Sequence, residues 1–472
     1  MVNKLSIVEV LTKNRWLLLA VFCIVSRLVT AIFYVEDPDS LRFALAALDF
    51  DLARSQPHFP GYPVFCFLMQ VFTLMLGKFS LAFSFIGGVA TFLIIYFSIK
   101  IVEIYAPHIN KWILSLLLFL NPMIWLMGNR YMPDLLGAAT VMAIFYCYAR
   151  ANENKRSKYP FLLQFCTGIL AGLRLSYLPL VVIPSLVVFF RGEKKIQQIL
   201  ALGVGAMVWL GPVVALTDLD TLLSIAQLQA EGHFVEWGGT ITSEPSYLER
   251  AAVVIESIWA YGLGGWLLDR HWITLPLSAG LLVGLVVSIV RMKAGEVKIA
   301  RLFGIAILLY LIWIYLFQNI MYKPRHVLPL IPFIIFAVAS GYSALWRKTK
   351  TVFYVSFAVL LISTSAITAV LVKQHKSPSA IAQAKDLFEA LPENSLTIVS
   401  IPLVNDYLRR QGVKSRFLSI EQDQAIIENL EDNFYTIGVF PKLIKQQESK
   451  QHVFYHNPYV NKMWPTVIVN VY

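Results

Sequence analysis

Long apolar runs separated by short polar loops fill residues 1–372. A run of about 20 apolar residues crosses a bilayer as a helix, so this pattern predicts an all-α polytopic membrane domain with about 11 transmembrane helices. The predicted spans are Trp16–Tyr34, Phe79–Ile99, Trp112–Met127, Asp134–Ala149, Pro160–Leu173, Leu175–Phe190, Ile196–Leu216, Ile273–Val290, Leu302–Phe317, Val327–Leu345 and Val352–Val372.

Lysine and arginine are concentrated in loops on one side of these spans. Basic loops stay on the cytoplasmic side, which predicts a cytoplasmic N-terminus and an outer C-terminus. These loops are the N-terminus and residues 100–111, 150–158, 191–195, 291–301 and 347–350. There are two further apolar stretches, Tyr62–Leu76 and Ala251–Leu268. If either crossed the membrane, the basic loops that follow it would lie on the outer side. We therefore predict that both are juxtamembrane helices on the outer face.

The last hundred or so residues have a different pattern. Short strand-like runs alternate with helix-like runs, which predicts a small soluble α/β domain with a mainly parallel sheet. The predicted strands are Leu396–Ile401, Arg416–Ile420, Tyr435–Phe440, His452–Tyr455 and Thr466–Tyr472, and the predicted helices are Ser379–Leu391, Leu403–Gln411 and Glu421–Asn429. We therefore divide the chain into a membrane domain, 1–372, and an extracytoplasmic domain, 373–472.

The composition excludes an ordinary soluble protein. Of the 472 residues, 57% are hydrophobic and 15% are charged, whereas soluble domains have roughly 45 to 50% and 25%. The net charge of +11 arises almost wholly before residue 373, because the remaining chain has 11 Lys and Arg against 10 Asp and Glu. A basic surplus in membrane loops orients helices and does not indicate nucleic acid binding.

The first outer segment carries two aspartates directly after the first span, Asp37 and Asp39. Carboxylates at this depth lie where a lipid head group and a water-soluble acceptor can meet. The same residues also form a good helix start, with Asp37 as N-cap and Pro38 at the first helical position. The local spacing leaves both interpretations open.

Two further outer segments contain polar side chains beside turns. His58 begins the turn His58-Phe-Pro-Gly-Tyr62-Pro63, where it either binds a ligand or stabilises the turn. Arg130 and Asp134 follow between two spans, one helical turn apart. Asp134 is either a functional carboxylate or a charge favoured at a helix N-terminus.

A cationic cluster on the outer face breaks the positive-inside tendency. It consists of Lys323, Arg325 and His326 in the segment Met321–Pro329. Such a cluster suits an anionic head group such as a phosphate. The alternative is that these side chains extend to ordinary lipid head groups.

Taken in order, these motifs resemble the GT-C membrane glycosyltransferases, which include protein O-mannosyltransferases and lipid A aminoarabinose transferases. The resemblance covers most of residues 15 to 345, and the tail is similar to the soluble domain of some bacterial members. It implies a multi-pass protein of the bacterial plasma (inner) membrane. It also implies an inverting enzyme that moves a sugar from a polyprenyl-phosphate donor to an envelope lipid, glycan or protein.

The resemblance also assigns roles to the candidate residues. An aspartate of the first outer segment would act as general base or bind the acceptor hydroxyl. As base we prefer Asp39 to Asp37, because Asp37 is the better cap. The expected donor phosphate ligands are Arg325, His326, Arg130 and Lys323. The expected substrate-binding residues are His58, Tyr62 and Asp134. A divalent metal held by the aspartates is left open, since the sequence contains no complete ligand set.

Two other functions fit parts of the sequence. A transporter or flippase of lipid-linked sugars is the first, but transporters usually place ionisable groups along a pathway near the bilayer midplane. Here the charged motifs cluster on one face, which favours an enzyme. The second is a catalytically inactive relative that assists envelope assembly, and a single sequence does not separate it from an active enzyme.

Overall fold

Each predicted span overlaps a helix in the computed structural model, which describes residues 14–236, 238–244, 246–293, 298–391, 397–430, 434–440 and 450–472. The chain forms two units. The first contains the described residues up to Ala31 and Leu45–Val372, and the second contains Ile32–Ala44 and Lys373–Tyr472. The basic residues before position 14, part of the predicted 291–301 loop and Leu396 lie outside the described residues.

Helices dominate the chain up to His375. In order they are α1 (Arg15–Val29), α2 (Pro38–Ala46), α3 (Pro63–Leu76), α4 (Phe79–Tyr105), α5 (Lys111–Leu120), α6 (Pro122–Met127), α7 (Asp134–Glu153), α8 (Tyr159–Arg174), α9 (Leu178–Arg191), α10 (Lys195–Thr217), α11 (Leu219–Glu231), α12 (Tyr247–Glu256), α13 (Leu275–Lys293), α14 (Lys298–Phe317), α15 (Ile331–Lys348) and α16 (Lys350–His375). Short 3-10 segments lie at Leu175–Tyr177, Trp272–Thr274 and Pro324–Leu330, and π-helical segments at Gly232–Glu236 and Ser257–Gly262.

Several of these helices have the length and composition of membrane spans. Among the described residues, six stretches qualify: Phe79–Tyr105, Tyr159–Arg191, Lys195–Thr217, Trp272–Val290, Pro324–Lys348 and Lys350–Glu389. Shorter apolar helices lie at Pro63–Leu76, Lys111–Leu120 and Phe303–Phe317. The protein is therefore a multi-pass membrane protein, while the number of crossings and the orientation stay predictions.

One predicted span, Trp112–Met127, was wrong as a single helix, because the chain breaks at Asn121. The Asn121 side-chain oxygen accepts a hydrogen bond from the Ile124 backbone N–H at 2.9 Å, which caps α6. Pro122 occupies the first position of α6, where a missing N–H costs nothing. The Asn121 amide also donates to the Gly262 carbonyl at 2.8 Å, so the break is tied to a neighbouring segment.

The two short spans predicted around Arg174 form a helical hairpin. Gln164 of α8 donates to the Ser185 carbonyl of α9 at 3.1 Å, and the Thr167 and Ser185 hydroxyls are also 3.1 Å apart. These contacts place the two helices side by side, with Arg174 at the turn. Helix α10 packs closely against α8 because Gly168 has no side chain, and a Cβ there would lie 2.5 Å from the Leu202 carbonyl.

The second unit contains a five-stranded sheet in the order β2-β1-β3-β5-β4. Its elements are α17 (Ala380–Glu389), β1 (Thr397–Ser400), α18 (Pro402–Arg410), β2 (Arg416–Ser419), α19 (Gln424–Ile427), β3 (Phe434–Ile437), β4 (Lys450–Tyr455) and β5 (Thr466–Val471). Its core includes the buried side chains of Val399, Leu418, Ile427 and Phe434. The α/β class predicted from the alternating pattern is confirmed.

The mainly parallel sheet predicted from the same pattern is only half right. Strand β1 pairs in parallel with β2 and β3, whereas β5 pairs antiparallel with β3 and β4. Helix α18 connects β1 to β2 and supplies the crossover that parallel pairing needs. Residues 456–465 connect β4 to β5 without a helix, and a short connection of this kind gives antiparallel neighbours.

Candidate functional site

Asp134 lies at the centre of a buried polar cluster in the first unit. It is the first residue of α7, its side chain is fully buried, and the positive end of the helix dipole favours its charge. Helix α7 packs against the α8–α9 turn because Gly137, one turn after Asp134, has no side chain. A Cβ at Gly137 would lie 2.8 Å from the Arg174 Cβ. This close approach brings the Arg174 side chain to Asp134.

Arg174 forms the closest ion pair of the cluster. One terminal guanidinium nitrogen of Arg174 lies 3.0 Å from Asp134 Oδ1, with side-chain exposures of 7% and 0%. The other terminal nitrogen donates to the Tyr62 hydroxyl at 3.1 Å. Sequence reasoning did not select Arg174 as a site residue. Its position between two apolar runs was a local signal, but its partners Asp134 and Tyr62 are 40 and 112 residues away along the chain.

A second arginine approaches the same carboxylate oxygen. Arg325 Nε lies 3.8 Å from Asp134 Oδ1, and its side chain is also 7% exposed. Two guanidinium groups therefore share one carboxylate in a buried environment. Within the described ranges, Arg174 Nε and Asp134 Oδ2 are buried and have no hydrogen-bond partner. Such atoms cost free energy unless a ligand or water satisfies them.

The predicted turn residues extend this cluster. His58 Nε2 and the Tyr62 hydroxyl are 3.3 Å apart, so a polar chain runs from His58 through Tyr62 and Arg174 to Asp134. Tyr62 has a backbone φ of 44°, in the left-handed region that a bulky residue rarely adopts. Strained residues of this kind often hold a side chain at a functional site. The structure thus connects three predicted site residues, His58, Tyr62 and Asp134, through Arg174, which was not predicted.

The cationic cluster Lys323, Arg325 and His326 is not uniformly exposed. Arg325 and His326 are both 6% exposed and lie in the 3-10 segment Pro324–Leu330, whereas Lys323 is half-buried. The Tyr310 hydroxyl donates to the His326 carbonyl at 2.9 Å and helps to hold the segment. Side chains that extend to head groups keep their charged ends in water. The burial of Arg325 and His326 inside the first unit therefore disfavours that alternative for these two residues.

Arg130 is buried in the turn between α6 and α7, with an exposure of 6%. Its backbone N–H donates to the Leu126 carbonyl at 3.1 Å, and the neighbouring Asn129 amide donates to the Thr30 carbonyl at 2.7 Å. The turn is therefore fixed to the end of α1. The phosphate-binding roles of Arg130 and Lys323 stay predictions.

The two predicted catalytic aspartates belong to the second unit. Asp37 Oδ1 accepts a hydrogen bond from the Ser40 backbone N–H at 2.8 Å, which is the helix cap expected for this residue. Asp39 lies in the first turn of α2 and is 7% exposed. Which of the two is the general base stays a prediction.

Sequence reasoning also missed a buried hydrogen-bonded pair in this unit. Glu36 Oε1 and His375 Nε2 are 2.9 Å apart, with side-chain exposures of 0% and 2%. Sequence reasoning gave Glu36 no role, because its partner lies 339 residues further along the chain. In the part of the chain that the structure describes, no group of three or more His, Cys, Asp or Glu side chains is arranged to hold a metal ion.

Comparison with solved structures identifies the architecture. The structure of ArnT from Cupriavidus metallidurans bound to undecaprenyl phosphate is similar with a TM-score of 0.54 and 13% sequence identity, covering 96% of this chain and 97% of that one. The apo form of ArnT from the same organism is similar with a TM-score of 0.53 and 13% sequence identity, covering 97% of this chain and 98% of that one. The Archaeoglobus fulgidus oligosaccharyltransferase, tethered to an acceptor peptide, has a TM-score of 0.47 and 11% sequence identity, covering 86% of this chain and 64% of that one.

No protein-family model and no curated protein matches the sequence. The similarity to ArnT extends over nearly the whole of both chains and establishes the fold. The fold class expected from the sequence, a polytopic helical protein with a small C-terminal α/β part, is therefore confirmed.

Proposed function

We propose that this protein is an inverting glycosyltransferase that moves a sugar from a polyprenyl-phosphate donor to an envelope acceptor. The donor and the acceptor, which is a lipid, a glycan or a protein, meet at the outer face of a bacterial inner membrane. The N-terminus lies in the cytoplasm, and residues 373–472 lie on the outer side of the membrane. The ArnT structure with bound undecaprenyl phosphate supports a donor of this chemical class.

The observation that carries the proposal is the pair of buried guanidinium groups on one carboxylate. Arg174 and Arg325 lie 3.0 and 3.8 Å from Asp134 Oδ1. A guanidinium has five N–H donors, and the described contacts of Arg174 with Asp134 and Tyr62 use its two terminal nitrogens. Its buried Nε has no partner among the described residues. Planar donors held in this way suit the oxygens of a phosphate.

The chemistry needs little more than positioning and charge stabilisation. An acceptor hydroxyl attacks the anomeric carbon, a new C–O bond forms, and the bond from that carbon to the phosphate oxygen breaks. The electron pair stays on the polyprenyl phosphate, which therefore needs no general acid. Arg174 and Arg325 stabilise the charge that develops there. The acceptor proton passes to an aspartate of the first outer segment, which we assign as Asp39.

The test is transfer of label by purified protein. Wild-type protein in lipid nanodiscs would be incubated with a panel of labelled polyprenyl-phosphate sugars and total envelope lipids, glycans and proteins. We expect label in a new product together with stoichiometric release of free polyprenyl phosphate. Release of polyprenyl phosphate with free sugar in place of a product would indicate hydrolysis only. Absence of both for every donor would refute the proposed reaction.

A further inference from the structure

The segment with the two predicted catalytic aspartates belongs to the same unit as the C-terminal part of the chain. Ile32–Ala44 clusters with Lys373–Tyr472, although these segments are far apart in sequence. The sequence division at residue 373 treats that part as a separate domain. Side chains of the C-terminal part contact the residues beside and at Asp37.

A buried hydrogen-bonded pair makes the first connection. Glu36, directly before Asp37, is fully buried and lies 2.9 Å from His375 Nε2. The Ser379 hydroxyl donates to the Glu36 backbone carbonyl at 2.8 Å. The side chain and the backbone of Glu36 are therefore both held by residues at the start of the C-terminal part. Removing one partner would leave a buried polar group without its hydrogen bond, which costs free energy, so the contact restricts the segment.

Two tyrosines and an asparagine hold the residues on either side. The Tyr407 hydroxyl donates to the Val35 carbonyl at 2.6 Å, and the Tyr34 hydroxyl donates to the His375 carbonyl at 2.9 Å. Burial raises the pKa of Tyr407, so its hydroxyl stays protonated and remains a donor. The Asn461 amide donates to Asp37 Oδ2 at 3.4 Å.

We propose that the C-terminal part positions the aspartate segment, with Glu36 and His375 as the positioning residues. The inference rests on the proposed function, because it concerns where the carboxylates of Asp37 and Asp39 are held during transfer. With Ser40 and Asn461, Asp37 has hydrogen bonds on both carboxylate oxygens, which suits a structural role for Asp37. A displacement of about 1 Å at such a carboxylate can lower the rate about 100-fold.

The experiment compares two substitutions of His375 in the full-length protein. His375→Leu removes the partner of Glu36, whereas His375→Gln retains a neutral N–H donor at a similar distance from the backbone. We expect His375→Leu to lower kcat by about ten- to a hundredfold, with the donor KM within about twofold of wild type. His375→Gln should restore kcat to within about threefold of wild type. His452→Gln, on the edge strand β4, is the matched control and should leave kcat unchanged.

Hydrogen–deuterium exchange of residues 36–46 provides a readout that does not depend on transfer. We expect at least tenfold faster exchange in His375→Leu than in wild type and control. If that variant fails to fold, Tyr407→Phe removes one hydroxyl only, and should lower kcat about three- to tenfold at constant donor KM.

Three outcomes would overturn the inference. Exchange that His375→Leu leaves unchanged would show that this pair does not hold the segment. Faster exchange with a normal kcat would show that its position does not matter for transfer. Wild-type protein that transfers no sugar would overturn the proposed function and the kinetic part of the inference, and the exchange measurement would still decide whether the segment is held.

Discussion

Replacing Arg174 with methionine tests the buried cluster most severely. Methionine fills a similar length of the cavity without donating hydrogen bonds. The substitution removes the contacts of Arg174 with Asp134 Oδ1 at 3.0 Å and with the Tyr62 hydroxyl at 3.1 Å. Asp134 is fully buried and would keep only the weaker contacts, with Arg325 Nε at 3.8 Å and the Tyr177 hydroxyl at 3.5 Å.

The expected loss of stability follows from these distances. Breaking a buried ion pair by removing one partner costs about 3 to 5 kcal/mol. Arg325 offsets part of the uncompensated charge, so we expect Arg174→Met to lower the free energy of unfolding by about 3 kcal/mol. Asp134→Asn should also be destabilising, because it leaves two guanidinium groups without their carboxylate. The double variant should lose about 2 kcal/mol less than the sum of the single losses.

Reversible unfolding in mixed detergent micelles, followed by tryptophan fluorescence, would measure these free energies. Arg191→Met is a suitable control, because Arg191 ends α9 of the same hairpin and is exposed. Its effect should stay within about 0.5 kcal/mol. Losses below about 1 kcal/mol for Arg174→Met, or single effects that add within about 0.5 kcal/mol, would refute the coupling inferred from the geometry.

Three further predictions concern activity and topology. Arg325→Lys should lower kcat/KM about ten- to a hundredfold in steady-state assays. The reason is that lysine cannot reproduce the forked contact of a guanidinium with the donor phosphate, which is worth roughly 1.5 to 3 kcal/mol. Unchanged kinetics would remove Arg325 from the site. Asp39→Asn should abolish transfer while donor binding stays near normal. If Asp39→Asn keeps full turnover and Asp37→Asn loses it, Asp37 is the general base in place of Asp39. Protease added to intact spheroplasts should release a fragment of about 100 residues from the C-terminus, the size expected for a small domain; protection until the membrane is broken would reverse the predicted topology.

Much of the fold could be predicted because membrane helices and alternating elements leave local patterns. Apolar runs of sufficient length identified the helical segments, and the strand–helix alternation after residue 373 identified the α/β unit. The break at Asn121 was missed because a proline inside a membrane helix is often tolerated, whereas here Asn121 and Pro122 start a new helix. The antiparallel pairing of β5 was missed because strand order depends on tertiary packing.

The candidate site could be predicted only in part for a similar reason. His58, Tyr62 and Asp134 stand beside turns with distinctive sequences, so local reasoning selected them. Arg174 was not selected, because its role depends on partners that other helices supply. Glu36 likewise gains significance only through His375, which follows the last apolar run. Single-sequence patterns do not contain such long-range pairs.

Direct measurement of lipid binding tests the central claim, that the arginine cluster binds the phosphate of a polyprenyl-phosphate donor. Native mass spectrometry would compare undecaprenyl phosphate with undecaprenol, which has the same chain and no phosphate. We predict about tenfold or greater preference for the phosphate in wild-type protein, corresponding to about 1.4 kcal/mol or more. That preference should be lost in Arg325→Met and retained in Arg191→Met. Equal binding of the two lipids by wild-type protein, or full preference in Arg325→Met, would contradict the claim.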